Sequence, residues 1–294
     1  MKPANFEYYD PSTIDEALDL LSQYGDEARP LAGGQSLVPL MNFRLLRPAH
    51  IIDLNGIAAL NFLQADGGEL RIGATSRQRQ LERSSEVGAR WPLLRDATSY
   101  IGHAQIRNRG TVGGSLAHAF PSAELPVAMV TLGASFVLRA KSGQRTVAAD
   151  GFFLSFMTSA LQLGELLVEI KVPALAPNTG WSYQEVSRRH GDFALAGAAS
   201  LVTLDGAGII THAKLTLTGT TPIPSTSAQE LLLGQKPSES LFREAARQAS
   251  IGLEQDSDIH ASAEYRRGAC EVLARRALTE AAQRVTQLTK GLAR

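Results

Sequence analysis

The sequence predicts an α+β protein, on three observations. Segments that alternate like strands are interspersed with segments of helical periodicity. A β-α-β-α-β order holds only over the first fifty-odd residues. The last third reads as a three-strand meander followed by helices.

Phe6-Glu7-Tyr8-Tyr9 alternates as a short strand. Thr13-Ile14-Asp15-Glu16 has the form of a capping box, and Ile14, Ala17, Leu18 and Leu21 follow at helical spacing up to Gly25, a C-terminal cap. Arg29 to Ala32 and His50 to Asp53 read as two further strands, with a helical turn between them. Together these make a small parallel sheet. Residues 62–72 form a hairpin around Asp66-Gly67-Gly68, and a second hairpin joins Ser135–Ala140 to Arg145–Ala148. Thr75–Arg83 and Pro92–Ile101 suit short helices, and Glu165–Val172 alternates as a strand. The proline- and glycine-punctuated stretch 173–180 reads as a linker. Beyond it lie strands at Trp181–Arg188, Ala194–Leu204 and Ile209–Thr218, then helices over about 226–234, 239–252 and 262–288.

Lysine plus arginine and aspartate plus glutamate are balanced at 29 each, which argues against a dedicated nucleic-acid surface. A single cysteine, Cys270, excludes an internal disulfide framework and a four-cysteine iron–sulfur cluster held by this chain alone. The N-terminus lacks the apolar core of a signal peptide, and the longest apolar stretch, Phe193–Leu204, falls far short of a membrane span. The expectation is a cytoplasmic protein. The histidines show no metal-binding spacing, and no catalytic triad can be chosen without arbitrariness, so no catalytic or metal residue is assigned.

Two segments carry chemistry: Leu31-Ala32-Gly33-Gly34-Gln35-Ser36-Leu37 and Arg109-Gly110-Thr111-Val112-Gly113-Gly114-Ser115-Leu116. Each sets a double glycine beside a hydroxyl residue. Glycine lets backbone amides approach a ligand without a Cβ in the way, and successive amides form a concave anion site. A Gly-Gly pair alone is an ordinary turn; two pairs with flanking hydroxyls leave turns and a diphosphate cradle equally open. Neither segment fits the Rossmann or Walker pattern.

The run from Ile106 to Pro126, which contains Thr111-Val112-Gly113-Gly114-Ser115, resembles the second FAD loop of the molybdenum hydroxylase flavoprotein subunits. That family includes the medium subunit of aerobic carbon monoxide dehydrogenase and the flavin domain of xanthine dehydrogenase. Ala32-Gly33-Gly34-Gln35-Ser36-Leu37 resembles its first loop, and the likeness runs along nearly the whole chain.

The resemblance implies a vanillyl-alcohol-oxidase/PCMH-type FAD domain over residues 1–177, in two subdomains of about 1–57 and 58–177, and a C-terminal flavoprotein domain over 178–294. It places the FAD pyrophosphate on Ala32–Ser36 and Thr111–Ser115, with Leu31 and Leu37 packing beside the first loop. It puts the adenosine on Glu124, where the family usually has aspartate, and apolar lining on Ile101 and Leu167. Gln184 stands where the xanthine dehydrogenase type has lysine, so a neutral amide replaces a cation beside the flavin. Ser187–Ala194 resembles the family's Arg-Arg-x-x-Asp-aromatic segment. There Phe193 either covers the isoalloxazine ring or sits in the core, with the arginines paired to nearby acids.

The family further implies a large molybdopterin-binding subunit and a small [2Fe-2S] subunit as partners, assembled as a dimer of heterotrimers. This chain would pass electrons from the cluster to an external acceptor. Two rival readings stay open at this point: a self-sufficient FAD-dependent oxidoreductase of the same fold, and a non-catalytic nucleotide-binding assembly subunit.

Overall fold

The computed structural model describes residues 2–219, 221, 222 and 224–292. In chain order its elements are β1 (Glu7–Tyr9), α1 (Ile14–Tyr24), β2 (Ala28–Leu31), α2 (Leu37–Asn42), β3 (His50–Asp53), β4 (Leu63–Asp66) and β5 (Glu69–Gly73). There follow α3 (Gln78–Arg83), α4 (Ser85–Arg90), α5 (Pro92–Tyr100), α6 (Ala104–Arg109), α7 (Val112–His118) and α8 (Glu124–Leu132). Next come β6 (Ser135–Ala140), β7 (Gly143–Ala148), β8 (Phe153–Ser155), β9 (Thr158–Ser159) and β10 (Leu166–Pro173). The chain closes with β11 (Thr179–Val186), β12 (Ala196–Leu204), β13 (Ile210–Leu217), α9 (Thr226–Leu232), α10 (Glu239–Ser250) and α11 (Ala263–Leu292). No helix among the described residues is long and apolar enough to cross a membrane.

Packing divides the chain into two units that interleave in sequence. The first takes residues 1–83, 103–119 and 134–173; the second takes 84–102, 120–133 and 174–294.

In the first unit the opening β-α-β-α-β segment forms a parallel sheet in the order β1-β3-β2. Helix α1 starts where Thr13 Oγ1 accepts from the Glu16 amide, and Glu16 reaches back to the Ser12 amide and hydroxyl. Its apolar stripe of Ala17, Leu18 and Leu21 is buried with Ile52 of β3. The same core takes in Val137, Leu166 and Val168 from a five-stranded antiparallel sheet ordered β4-β5-β10-β6-β7. Between β5 and α3, residues 74–77 remain outside the helix.

In the second unit β11-β12-β13 is an antiparallel meander. Its core joins Val202 and Leu215 of the sheet to Phe242 of α10 and to Leu273, Ala277 and Leu278 of α11. All nine residues of α8 are buried. The linker expected over 173–180 is short, since Pro173 closes β10 and Thr179 opens β11.

Candidate cofactor site

Both glycine loops belong to the first unit. The first begins where β2 ends: Leu31 is in register with Asp53 of β3, and the chain leaves the sheet at Ala32. Gly34 turns with φ +71°, a left-handed conformation that costs glycine nothing. The Val38 amide then donates to the Gly34 carbonyl at 3.1 Å and the Leu40 amide to Ser36 at 3.2 Å, which starts α2. Gln35 Nε2 folds back onto the Gly33 carbonyl at 3.0 Å. The N–H groups of Gly33, Gly34, Gln35 and Ser36 have no protein acceptor among the described residues. The Ser36 hydroxyl caps nothing. Four consecutive backbone donors on a half-buried turn are thus available to an anion.

The second loop is built differently. Residues 110–113 run antiparallel to 74–78: the Gln78 amide donates to Gly110, Val112 to Ser76 and Gly113 to Ala74, each at 2.9 Å. Thr111 caps α7, its hydroxyl accepting from the Gly114 amide at 3.1 Å. The amides of Val112, Gly113 and Gly114 therefore serve the protein itself, and the donors without a protein acceptor among the described residues come from the first loop.

The four glycines separate by role. A Cβ on Gly33 would stand 2.5 Å from the Arg109 carbonyl oxygen and 2.9 Å from the Thr111 nitrogen, so the two loops meet backbone to backbone there. A Cβ on Gly113 would stand 2.6 Å from that of Ala74, inside the fold. Gly34 supplies the turn, and a Cβ on Gly114 would strike the Thr111 hydroxyl at 2.6 Å and break the cap. The Ser115 hydroxyl, one residue on, has no protein partner among the described residues. Four amides and two hydroxyls without a protein partner among the described residues fit a diphosphate such as FAD carries. Leu31 and Leu37 flank this turn half-buried, and Leu167 is buried in β10 next to a register shift against β6. Burial holds the His118 imidazole below its ordinary pKa.

The remaining candidates lie in the second unit. Ile101 ends α5 and is buried. Glu124 opens α8 and is only 5% exposed. Phe193 is 64% exposed, with its ring centroid 4.6 Å from that of Phe120, so it is not a core residue. Arg188 and Arg189 both pair with Asp192, at 3.4 and 3.3 Å. Gln184 Nε2 donates to Glu280 Oε2 at 2.5 Å and to Ser182 Oγ at 3.2 Å, which fastens the amide to α11.

The residue next to Gln184 escaped the sequence reading. Glu185 accepts the Tyr183 hydroxyl at 3.0 Å, and burial pushes its carboxyl up to about 7. Tyr183 stacks obliquely on Tyr100 at 5.2 Å. Burial drives its phenol well above the ordinary range, with the charges of Glu185 and Glu124 adding to the rise. Strand alternation was the available signal, since it sets 183 and 185 on one face and 182 and 184 on the other. Among the described residues no group of three or more histidine, cysteine or acidic side chains is placed to hold a metal.

Residues 4–175 match the model of the FAD binding domain in molybdopterin dehydrogenase, and residues 181–281 match that of the CO dehydrogenase flavoprotein C-terminal domain. The chain is 40% identical to subunit alpha of the 6-hydroxypseudooxynicotine dehydrogenase complex of Paenarthrobacter nicotinovorans, over 97% of both chains. Among solved structures, carbon monoxide dehydrogenase from Hydrogenophaga pseudoflava superposes with a TM-score of 0.94 at 38% identity, covering 97% of this chain and 99% of that one. Quinoline 2-oxidoreductase from Pseudomonas putida 86 gives 0.92 at 35%, with the same coverage. A fold, two glycine loops and two family models that agree along one chain identify it as a member of the FAD-binding medium subunits of the molybdenum hydroxylases, an oxidoreductase family.

Proposed function

We infer that this chain is the FAD-carrying electron-transfer subunit of a cytoplasmic heterotrimer, paired as a dimer of heterotrimers with a large molybdopterin-binding subunit and a small [2Fe-2S] subunit. The observation that carries the reading is the run of four free amides from Gly33 to Ser36, set against a second glycine loop pinned by the protein's own hydrogen bonds. Ala32–Ser36 would hold the pyrophosphate by these donors, and Gly114 and Ser115 would close its other side. Glu124 suits the ribose hydroxyls, which a carboxylate accepts in pairs. Leu31, Leu37, Ile101 and Leu167 offer apolar lining, and the exposed face of Phe193 offers a stacking surface for the isoalloxazine. Gln184, held by Glu280, supplies neutral polarity where the xanthine dehydrogenase type has a cation. In functional terms the chain divides at 177/178, close to the end of the first family match.

FAD, when bound, would supply the redox chemistry, and the residues of the two loops would bind and orient it. The relatives are subunits of complexes whose names include dehydrogenases of carbon monoxide and of a nicotine derivative, which supports a partner-dependent role.

Affinity purification of the tagged chain from its native host, with visible spectroscopy and metal analysis, tests this. Bleachable flavin absorption together with co-purifying iron, molybdenum and two further polypeptides is expected. The recombinant chain alone should bind FAD and oxidise no heterocycle or aldehyde. A chain that runs alone, free of metal, and still turns over such a substrate would establish the self-sufficient oxidoreductase instead.

A further inference from the structure

The geometry points to Arg77, acting through Asn55, as the positioning residue that sets the spacing of the two glycine loops and thereby the affinity for FAD. This rests on the reading that the loops hold the FAD pyrophosphate.

Neither residue belongs to either loop, yet between them they touch both. Arg77 Nη1 donates to the Arg109 carbonyl at 2.6 Å, and Nη2 donates to Asn55 Oδ1 at 2.7 Å. Asn55 Nδ2 in turn donates to the Ala32 carbonyl at 2.9 Å. Asp53 fixes Asn55 by accepting from its backbone amide at 2.9 Å and from its side-chain amide. Tyr8 holds the other Asp53 oxygen.

The Arg109 carbonyl is also the atom that a Cβ on Gly33 would strike first. The guanidinium therefore grips the second loop at the point where it abuts the first, and through Asn55 it grips the first loop one residue earlier. The planar fork of arginine delivers two bonds in fixed directions, which an ammonium cannot do. Its charge is partly desolvated beside Arg109, with Asp53 the nearby counter-charge. The clamp takes only the carbonyls of Ala32 and Arg109 and leaves the Gly33–Ser36 amides without a protein acceptor among the described residues. A nest whose donors are fixed in advance binds an anion more tightly than one that must be ordered on binding.

The test is FAD titration of the deflavinated full-length chain by flavin fluorescence, with the melting temperature of the FAD-free chain measured in parallel. Arg77→Ala and Asn55→Ala should each weaken FAD binding roughly ten- to a hundredfold, the loss expected for a hydrogen bond to a charged group. The double variant should lose less than the product of the two single losses, because the Arg77–Asn55 bond couples the two loop contacts. Arg77→Lys should fail to restore affinity. Asn55 is exposed, so its alanine variant keeps the test available if Arg77→Ala does not fold.

Additive losses, or full rescue by lysine, would overturn the clamp in favour of a direct charge on the diphosphate. Gly33→Ala separates the two levels of inference. If it loses FAD while Arg77→Ala and Asn55→Ala bind normally, the clamp is wrong and the loop assignment stands. If all three bind FAD with unchanged affinity, the loop assignment falls and takes the clamp with it.

Discussion

At position 185 a carboxyl sits half-buried beside the hydroxyl of Tyr183, and desolvation lifts its pKa from 4.5 to about 7. Between those two values the native state holds a proton that the unfolded chain has released. The stability tied to this proton is fully present below about pH 4.5 and is lost as pH rises through about 7. A shift of that size corresponds to on the order of 3 kcal/mol. Glu185→Gln keeps an acceptor for Tyr183 and removes the titration. Thermal unfolding of the variant should show a flatter pH dependence between about 5 and 7, and a higher melting temperature near pH 8 than the parent chain. Parallel curves for the two proteins would mean that Glu185 ionises without penalty. Gly113 and Gly114 teach a related lesson about adjacent residues. The motif treats them alike, but one packs on Ala74 and the other lies over the cap of α7.

Among the elements, α11 shows how a helix can approach a sheet more closely than its periodicity reveals. Its buried face is small, with Ala274, Ala277 and Ala281 fully enclosed, and it lies on β11 and β12. Gly180 completes the fit, since a Cβ there would stand 1.9 Å from the Ala281 carbonyl oxygen. Backbone against backbone cannot yield as a side-chain tip can. Gly180→Ala should therefore cost roughly 3 kcal/mol or more, at the upper end for an overpacked core. Gly206→Ala is the control, because a Cβ there meets nothing. Urea denaturation of the two variants decides the matter, and equal midpoints would rule out the close contact. Other elements explain where sequence periodicity succeeds. Helix α1 was legible because one face is apolar and its cap is a hydroxyl, whereas α8 has no polar face to set a period. Helix α7 opens with two glycines after valine, a composition that argues for a turn. The helix expected from Thr75 starts at Gln78, because residues 74–77 are taken up in pairing with 110–113.

For the molecule as a whole, the proline-rich junction near 177 coincides with a change of compact unit at 173/174, but the second unit also takes in segments from well before it. Segments 84–102 and 120–133 belong to the same compact unit as residues 174–294. Within that unit Asp96 of α5 accepts from Trp181 Nε1 at 3.0 Å and from Arg284 Nη1 at 3.3 Å. The fully buried α8 adds to the same unit. Expressed separately, residues 1–177 and 178–294 should each be insoluble or molten, the first exposing α8 and the second lacking α5 and α8. Near-ultraviolet circular dichroism and cooperative unfolding of the purified fragments measure this. A native-like, cooperative 178–294 fragment would show that the inserted segments are dispensable.

The sequence by itself determined the fold class, the order and type of most elements, the two glycine loops and the family. Each of these depends on local patterning or on a contiguous motif. Tertiary structure decided which loop amides stay free, that Gln184 turns to Glu280 while Glu185 sits half-buried beside Tyr183, and that Asn55 and Arg77 serve the loops. Arg77 meets the Arg109 carbonyl across 32 residues and Asn55 meets the Ala32 carbonyl across 23. Contacts at such separations leave no period and no spacing in the chain. They exist only once the strands have paired and brought distant carbonyls within reach of a side chain, which is why no reading of residues in order reveals them.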